Sequence, residues 1–423
     1  MSSEPTNDRR EEPAPAAHPD RRLSRRHLLL GGAAAGVGAA GAIGVDLVAK
    51  AGLGGSAAPA VPAVALVSGT EVVPFFGVHQ AGVDTEPQSR ATFVALNLLP
   101  GVDRAALRRM MRILTDDAAR LTQGEAALAD SEPELAVVPA RLTVTFGFGP
   151  DLVTVAGGAA PGWLRPLPAF TIDRLQPEWN DGDLLLQIAA DDPMTVAHAT
   201  RMLLKDLRSF AVVRWVQSGF RRAAGSEKPG ATMRNLFGQV DGTANPAVGT
   251  ADFDALVWGR AGNPGWLAGG TGFVLRRISM NLDKWDGLDR SGRESTMGRT
   301  LANGAPLTGK RERDEPDFEA TTALGFPVIP EFSHLRRARS EDRSQRIHRR
   351  GYNYDEAPSG TGVSNSGLLF ACFQTDVDAQ FVPIQTRLDT LDLLNQWTTP
   401  IGSAVFAIPP GCASDGYIGD TLF

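Results

Sequence analysis

The chain has 423 residues, 43% hydrophobic and 21% charged, which supplies a sizeable core and excludes a disordered or fibrous protein. Its 42 basic and 48 acidic residues leave a formal charge of -6, so no global basic field recruits a nucleic-acid backbone, and nucleic acid is not an expected partner. Two cysteines and six histidines are too few for a zinc cluster or a disulfide scaffold, so any metal chemistry must rest on very few residues.

The first twenty residues are rich in Glu, Pro, Ala and charge without hydrophobic periodicity, and they read as disordered. Ser24-Arg25-Arg26-His27-Leu28-Leu29-Leu30 follows, then a Gly/Ala-rich apolar run over 31–45 and small residues around Ser56-Ala57-Ala58. This stretch resembles a twin-arginine export signal. The apolar run is about 15 residues, short of the roughly 20 that span a bilayer. The expected location is therefore secreted or cell-envelope (periplasmic), with the twin-arginine translocase as the partner during export. That route carries proteins folded before crossing, a hint of a cofactor loaded inside the cell.

From Val61 onward, short apolar runs bounded by Gly, Pro and Asp alternate with longer helical segments, an α+β pattern. Strands are expected over 141–147, 183–189, 272–278 and 367–373, each rich in β-branched, aromatic or leucine residues. Helices are expected over 103–121, 193–207 and 382–397, the first with Leu107, Met110, Met111 and Leu114 on one face. Each half of the chain has a strand followed by a helix, with acidic residues between that suit the helix N-terminus, Asp191-Asp192 and Asp376 to Asp378. Three segments result: 1–60 as leader and export signal, then two halves over 61–225 and 226–423. The loop over 221–231 is the join. Cys372, in an apolar strand, and Cys412, in a Pro-Pro-Gly turn, read equally as independent thiols or as a pair.

Phe237-Gly238-Gln239-Val240-Asp241-Gly242-Thr243 places one carboxylate between glycines that let the backbone bend tightly and approach a flat ligand. Alone, it reads as a turn. About a hundred residues later come Phe332-Ser333-His334-Leu335-Arg336 and Arg349-Arg350-Gly351-Tyr352-Asn353-Tyr354, inside a charge-dense interval that by itself reads as solvated surface.

These segments, in order with Gly77-Val78-His79-Gln80-Ala81-Gly82, Gly182 to Gln187, Gly367 to Gln374, Phe381 to Gln385 and Gly402 to Phe406, resemble the dye-decolourising peroxidases. The resemblance covers nearly all of residues 71–412, and with the export signal it points to the secreted, deferrochelatase-like branch. It implies two ferredoxin-like halves, each an antiparallel sheet with peripheral helices, and one haem b per chain in the C-terminal half. The lack of a Cys-x-x-Cys-His agrees with non-covalent haem.

The same resemblance makes His334 the iron ligand and Asp241 and Arg349 the catalytic pair. Asp392, or Asp389, would orient the His334 ring. Gly242, Thr243 and Arg299 would meet the propionates, and Leu368 and Phe370 would wall the distal side. The implied reaction is peroxide-driven oxidation of bulky dyes or phenolics through a ferryl state, with an acidic optimum. An exported haem-handling protein with little turnover is the competing reading; a homo-oligomer is left open.

Overall fold

A computed structural model describes residues 69–258, 262–358 and 362–423. The expected leader and twin-arginine segment, residues 1–60, lie outside the described residues. In chain order the strands are β1 Arg90–Leu98, β2 Thr143–Phe148, β3 Leu184–Ala190, β4 Ala211–Phe220, β5 Thr271–Met280, β6 His348–Arg349, β7 Tyr352–Glu356, β8 Asn365–Gln374 and β9 Thr398–Ile408. They lie in the order β5-β9-β2-β3-β1-β4-β7-β8-β6, and a further β5–β8 pairing closes the sheet on itself. Strands β1 to β4 pair with one another over long antiparallel registers, as do β5, β8 and β9. Only Phe148↔Ala407 and Phe220↔Asn353 join the two sets. Full closure leaves few unpaired edges, which is how an all-antiparallel sheet avoids edge-to-edge association.

Helices Arg104–Thr122 and Pro193–Leu207 pack on the first set, and Leu107, Met110, Met111 and Leu114 form the buried stripe their spacing predicts. Their starts are set by carboxylates: Asp103 accepts the Ala106 N–H at 2.7 Å and Asp192 the Thr195 N–H at 2.9 Å. Asp376 does the same for the Ala379 N–H, 2.9 Å away, ahead of helix Val382–Leu391. No helix among the described residues is long and apolar enough to cross a membrane.

The alternation of β5 and β8 decides where a cofactor can sit. Phe273, Leu275, Leu369, Ala371 and Phe373 join a buried apolar cluster with Phe93, Trp215, Tyr352 and Phe406. The alternate residues Arg276, Ile278, Met280, Leu368 and Phe370 face a cavity on the other side, with Arg276 opposite Phe370 and Ile278 opposite Leu368.

Strands β1, β4, β6, β7 and β9 were not among those expected from sequence. Strand β1 is buried on both faces over most of its length and so shows no polar alternation, and β9 carries Pro400 at an irregular register. The helix expected over 382–397 also ends early, at Leu391. Asp392 adopts an extended conformation (φ -72°, ψ 118°), and a 3-10 turn, Leu393–Gln396, resumes the course. Both cysteines are buried free thiols, and burial pushes them up, that of Cys412 to about 11.

One feature of the first set titrates near neutrality. Asp206, on helix Pro193–Leu207, faces Asp117 on Arg104–Thr122. Burial, the hydrogen bond with Asp117 and that neighbour's charge raise the Asp206 carboxyl to about 7. The folded state therefore holds a proton that the unfolded chain, with an ordinary carboxyl near 3.8, releases earlier. This contribution to stability is fully present below that lower value and is lost as pH rises through about 7. Asp206→Asn should stabilise the fold at pH 8 by on the order of 1–2 kcal/mol after allowing for solvent screening, read as a higher thermal midpoint, and change little at pH 4. Equal midpoints at pH 8 would remove the coupling.

Candidate active site

The cavity beneath β5 and β8 has a volume of ≈ 510 Å³, within the range of small-molecule and cofactor sites. His334, Asp392, Asp241, Arg349, Thr243, Arg299, Leu368 and Phe370 all line it. Gly242 is not on its wall but makes the bend that presents Asp241 and Thr243. Its φ of 134° is a conformation other residues rarely adopt, and a Cβ there would meet the Thr232 methyl at 3.2 Å.

His334 is the first residue of the short helix His334–Ala338. Two ties fix that segment: Ser333 donates its hydroxyl to the Pro330 carbonyl at 2.7 Å, and the Leu393 N–H donates to the Phe332 carbonyl at 2.9 Å. The second tie brings in the chain just after the helix break at Asp392. There Asp392 Oδ1 accepts the Leu394 N–H at 3.0 Å while Oδ2 bonds His334 Nδ1 at 2.6 Å. Burial works against a proton on the ring, but the charge and hydrogen bond of Asp392 outweigh it, and the His334 pKa is raised. Asp389 is committed elsewhere. It accepts from the Thr171 and Ile172 N–H groups and from the Thr171 hydroxyl at 2.8–3.0 Å.

Asp241 and Arg349 form an ion pair, Oδ1 to Nη1 at 2.9 Å. Asn245 holds the Arg349 backbone at both ends, accepting its N–H at 3.0 Å and donating to its carbonyl at 2.7 Å. The second oxygen of Asp241 lies 3.4 Å from the Asn235 amide nitrogen. Asn235 and Asn245 are supports that the sequence reading did not single out, although Asn245 lies three residues beyond the Asp-Gly bend.

Two side chains expected from sequence at the propionates make contacts within the protein. The Thr243 hydroxyl donates to Glu312 at 2.9 Å, so this turn has only backbone N–H groups left to offer. Arg299 donates to the backbone carbonyls of Gly304 and Glu312 and, among the described residues, forms no ion pair. Burial lowers its pKa, with the Glu312 charge opposing. A part-buried guanidinium without a bonded carboxylate suits a ligand that brings one.

His348 faces away from the cavity, its ring 5.1 Å from that of Phe253. Burial first, and then the Arg350 charge, push its pKa down to about 4, so it is neutral. His79 stacks on Trp258 at 4.0 Å and bonds the Gly269 carbonyl at 2.7 Å, a structural role. Among the described residues no group of three or more His, Cys, Asp or Glu could hold a metal ion, so a metal here would take its protein ligand from His334 and the rest of its coordination from a cofactor.

Two family models match, Dyp-type peroxidase, N-terminal, over residues 80–221 and Dyp-type peroxidase, C-terminal, over residues 232–413. The chain is 39% identical over 355 residues to the dye-decolorizing peroxidase of Thermobifida fusca, covering 82% of this chain and 80% of that protein. It is 35% identical over 377 residues to the deferrochelatase of Escherichia coli K12, covering 83% and 87%. The crystal structure of a DyP-type peroxidase from Cellulomonas bogoriensis superposes with a TM-score of 0.81 at 57% identity, covering 84% of this chain and 98% of that one.

Proposed function

We propose how this chain, which belongs to the Dyp-type peroxidase family and is a haem enzyme that uses hydrogen peroxide to oxidise an organic donor, divides that work among its residues. The apolar wall, the single free ring nitrogen of His334 and the unpaired Arg299 guanidinium fit a haem with its propionates. When bound, the haem supplies the iron that takes up peroxide and stores its oxidising equivalents. His334 would hold that iron through Nε2, the ring nitrogen that Asp392 leaves free. Asp392 accepts the Nδ1 proton, which fixes the tautomer and ring orientation and strengthens the imidazole as a donor. Leu368 and Phe370 exclude water from the distal side, and Arg299 with the Gly242 and Thr243 N–H groups would receive the propionates.

Asp241 and Arg349 carry the peroxide step. Asp241 takes the proton from the inner oxygen of hydrogen peroxide and delivers it to the outer one, acting as base and then acid. Arg349, always protonated, supplies fixed N–H donors to the charge that develops on the departing oxygen. This pair, 2.9 Å apart in the cavity that also holds His334, is the observation that carries the reading. A haem carrier would need His334 but not the pair. The direct test is expression with haem, followed by the absorption spectrum and peroxide-dependent dye oxidation. A Soret band without dye turnover would favour the carrier.

The Asp392 role has its own expected result. Asp392→Asn keeps the shape but lets the amide donate as well as accept, so peroxidase turnover should fall about 10–100-fold. The ferric spectrum should shift with it. An unchanged spectrum and rate would show that Asp392 only packs.

Strand order β2-β3-β1-β4 in the first set, and β7-β8-β5-β9 in the second, supports two ferredoxin-like halves, which we assign to 61–225 and 226–423. Residues 1–60 serve as a twin-arginine leader, supported by Ser24-Arg25-Arg26 and the apolar run after it, and the protein acts outside the cytoplasm. Determining the N-terminus of exported protein tests this.

A further inference from the structure

A second cavity of ≈ 190 Å³ lies on the far side of Arg276, whose side chain lines both it and the haem cavity. The loop that separates the two is anchored firmly. Asp389 binds Thr171 and Ile172, the Arg174 and Gln176 N–H groups donate to the carbonyls of Pro400 and Ile401 in β9, and Asp173 pairs with Arg276. Pro166, Leu167, Pro168 and Leu175 give the second cavity an apolar side. Its polar side is Arg276, Asp173, Asp181, Asn180 and Ser403.

Arg276 is 1% exposed, and its Nε is buried with no hydrogen-bond partner. Its Nη1 reaches the Ser403 hydroxyl at 3.2 Å, and its guanidinium lies 5.7 Å from the Phe170 ring centre. Asp181 sits at a positive φ of 55°, held by its N–H on the Ser403 carbonyl at 3.0 Å and by Trp215 Nε1 on its own carbonyl at 2.9 Å. Among the described residues its carboxylate forms no ion pair within 4.0 Å, although the Arg214 charge acts on it from a greater distance.

We propose that this second cavity binds a neutral, single-ring phenol as an electron donor to the haem site, an inference that rests on the peroxidase reading above. Three observations select that chemistry. A cavity of about 150 Å³ already admits benzene, so the space suits one ring and excludes a polycyclic dye. The guanidinium of the lining, Arg276, is already paired with Asp173, and Asp181 adds a further carboxylate, so a sulfonate or carboxylate finds no spare positive charge on the cavity wall. The apolar side takes the ring face, while the Asp181 carboxylate is an open acceptor for its hydroxyl. In the oxidation step the phenol O–H bond breaks. Its proton goes to Asp181 and one electron goes, past Arg276, to the enzyme that hydrogen peroxide has oxidised, leaving a phenoxyl radical.

The test uses the haem-loaded full chain and 2-methoxyphenol as probe. Without peroxide, and with cyanide closing the iron site, saturation-transfer NMR should detect 2-methoxyphenol on the wild type. Binding to Ala169→Trp, which fills the cavity from an exposed loop position, should be about tenfold weaker. Leu175→Trp provides the same block should the first variant fail to fold. With peroxide, the KM for 2-methoxyphenol should rise about tenfold in the blocked variant, while turnover of a bulky anthraquinone dye and the rate of the peroxide-dependent spectral change stay at wild-type values. No cyanide-insensitive binding, equal binding by the blocked variants, or a parallel loss of dye turnover would each overturn the proposal. Failure of the wild type to oxidise either donor would instead overturn the peroxidase reading, and the peroxide-free arm would still decide the cavity.

Discussion

Replacing His334 with alanine is expected to leave a chain that folds but does not retain haem. Among the described residues His334 is the one histidine that lines the cavity, so the iron would find no second imidazole there. The loss has two parts. The iron–imidazole bond goes, and Asp392, 6% exposed, loses its hydrogen-bond partner at 2.6 Å. Leaving a buried acceptor without its partner costs about 1–3 kcal/mol, so the variant should also unfold at lower temperature. Far-UV circular dichroism should remain that of the folded chain, since the core clusters do not depend on this side chain. Titration with haem should give occupancy a small fraction of the wild type, and added imidazole, which fits the space left behind, should restore part of the Soret band. Full occupancy with an unaltered spectrum in His334→Ala would show that the iron ligand lies elsewhere.

Much of this site is legible in the sequence because its chemistry sits in compact local patterns. The Asp-Gly bend at 241–242, the histidine at 334 and the arginine at 349 each belong to a short segment whose residue types have few structural reasons to occur together. What could not be read is how segments about a hundred residues apart become neighbours. Asn245 supports Arg349 across 104 positions, a relation that exists only once β6 pairs with β8. Asp389 and Asp392 are nearly equivalent on paper, and the helix break after Leu391 separates them, sending one carboxylate to the Thr171 loop and the other to His334. The fold shows the same division. Helices with a single apolar face, such as Arg104–Thr122, announce themselves. A strand such as β1 is buried on both faces and shows no alternation, and the closure of the sheet through Phe148↔Ala407 and Phe220↔Asn353 rests on one residue pair per seam. The role of Arg276 as a wall shared by two cavities has no sequence signature, because an arginine within an apolar strand reads only as an interruption.

Arg349→Ala should slow the peroxide-dependent step by orders of magnitude while leaving haem bound. The backbone at this position is fixed by Asn245 from both sides, at 3.0 and 2.7 Å, so truncation removes the guanidinium without releasing the strand. Loss of one preorganised donor to a developing negative charge lowers rates by about 10²–10³. The expected stopped-flow result is a fall of that size in the rate of the peroxide-dependent spectral change, with haem content unchanged. Arg349→Lys should recover only part of it, since an ammonium restores the charge but not the planar fork. Asp241→Asn removes the proton carrier instead, an effect of about 10²–10⁴ where proton transfer limits the step. Because the two side chains touch at 2.9 Å, each single change also disturbs the other, and the double variant should lose less than the product of the two single losses. Independent, multiplicative losses would mean that the carboxylate and the guanidinium act on peroxide separately rather than as one unit, and a wild-type rate in Arg349→Ala would remove Arg349 from the step altogether.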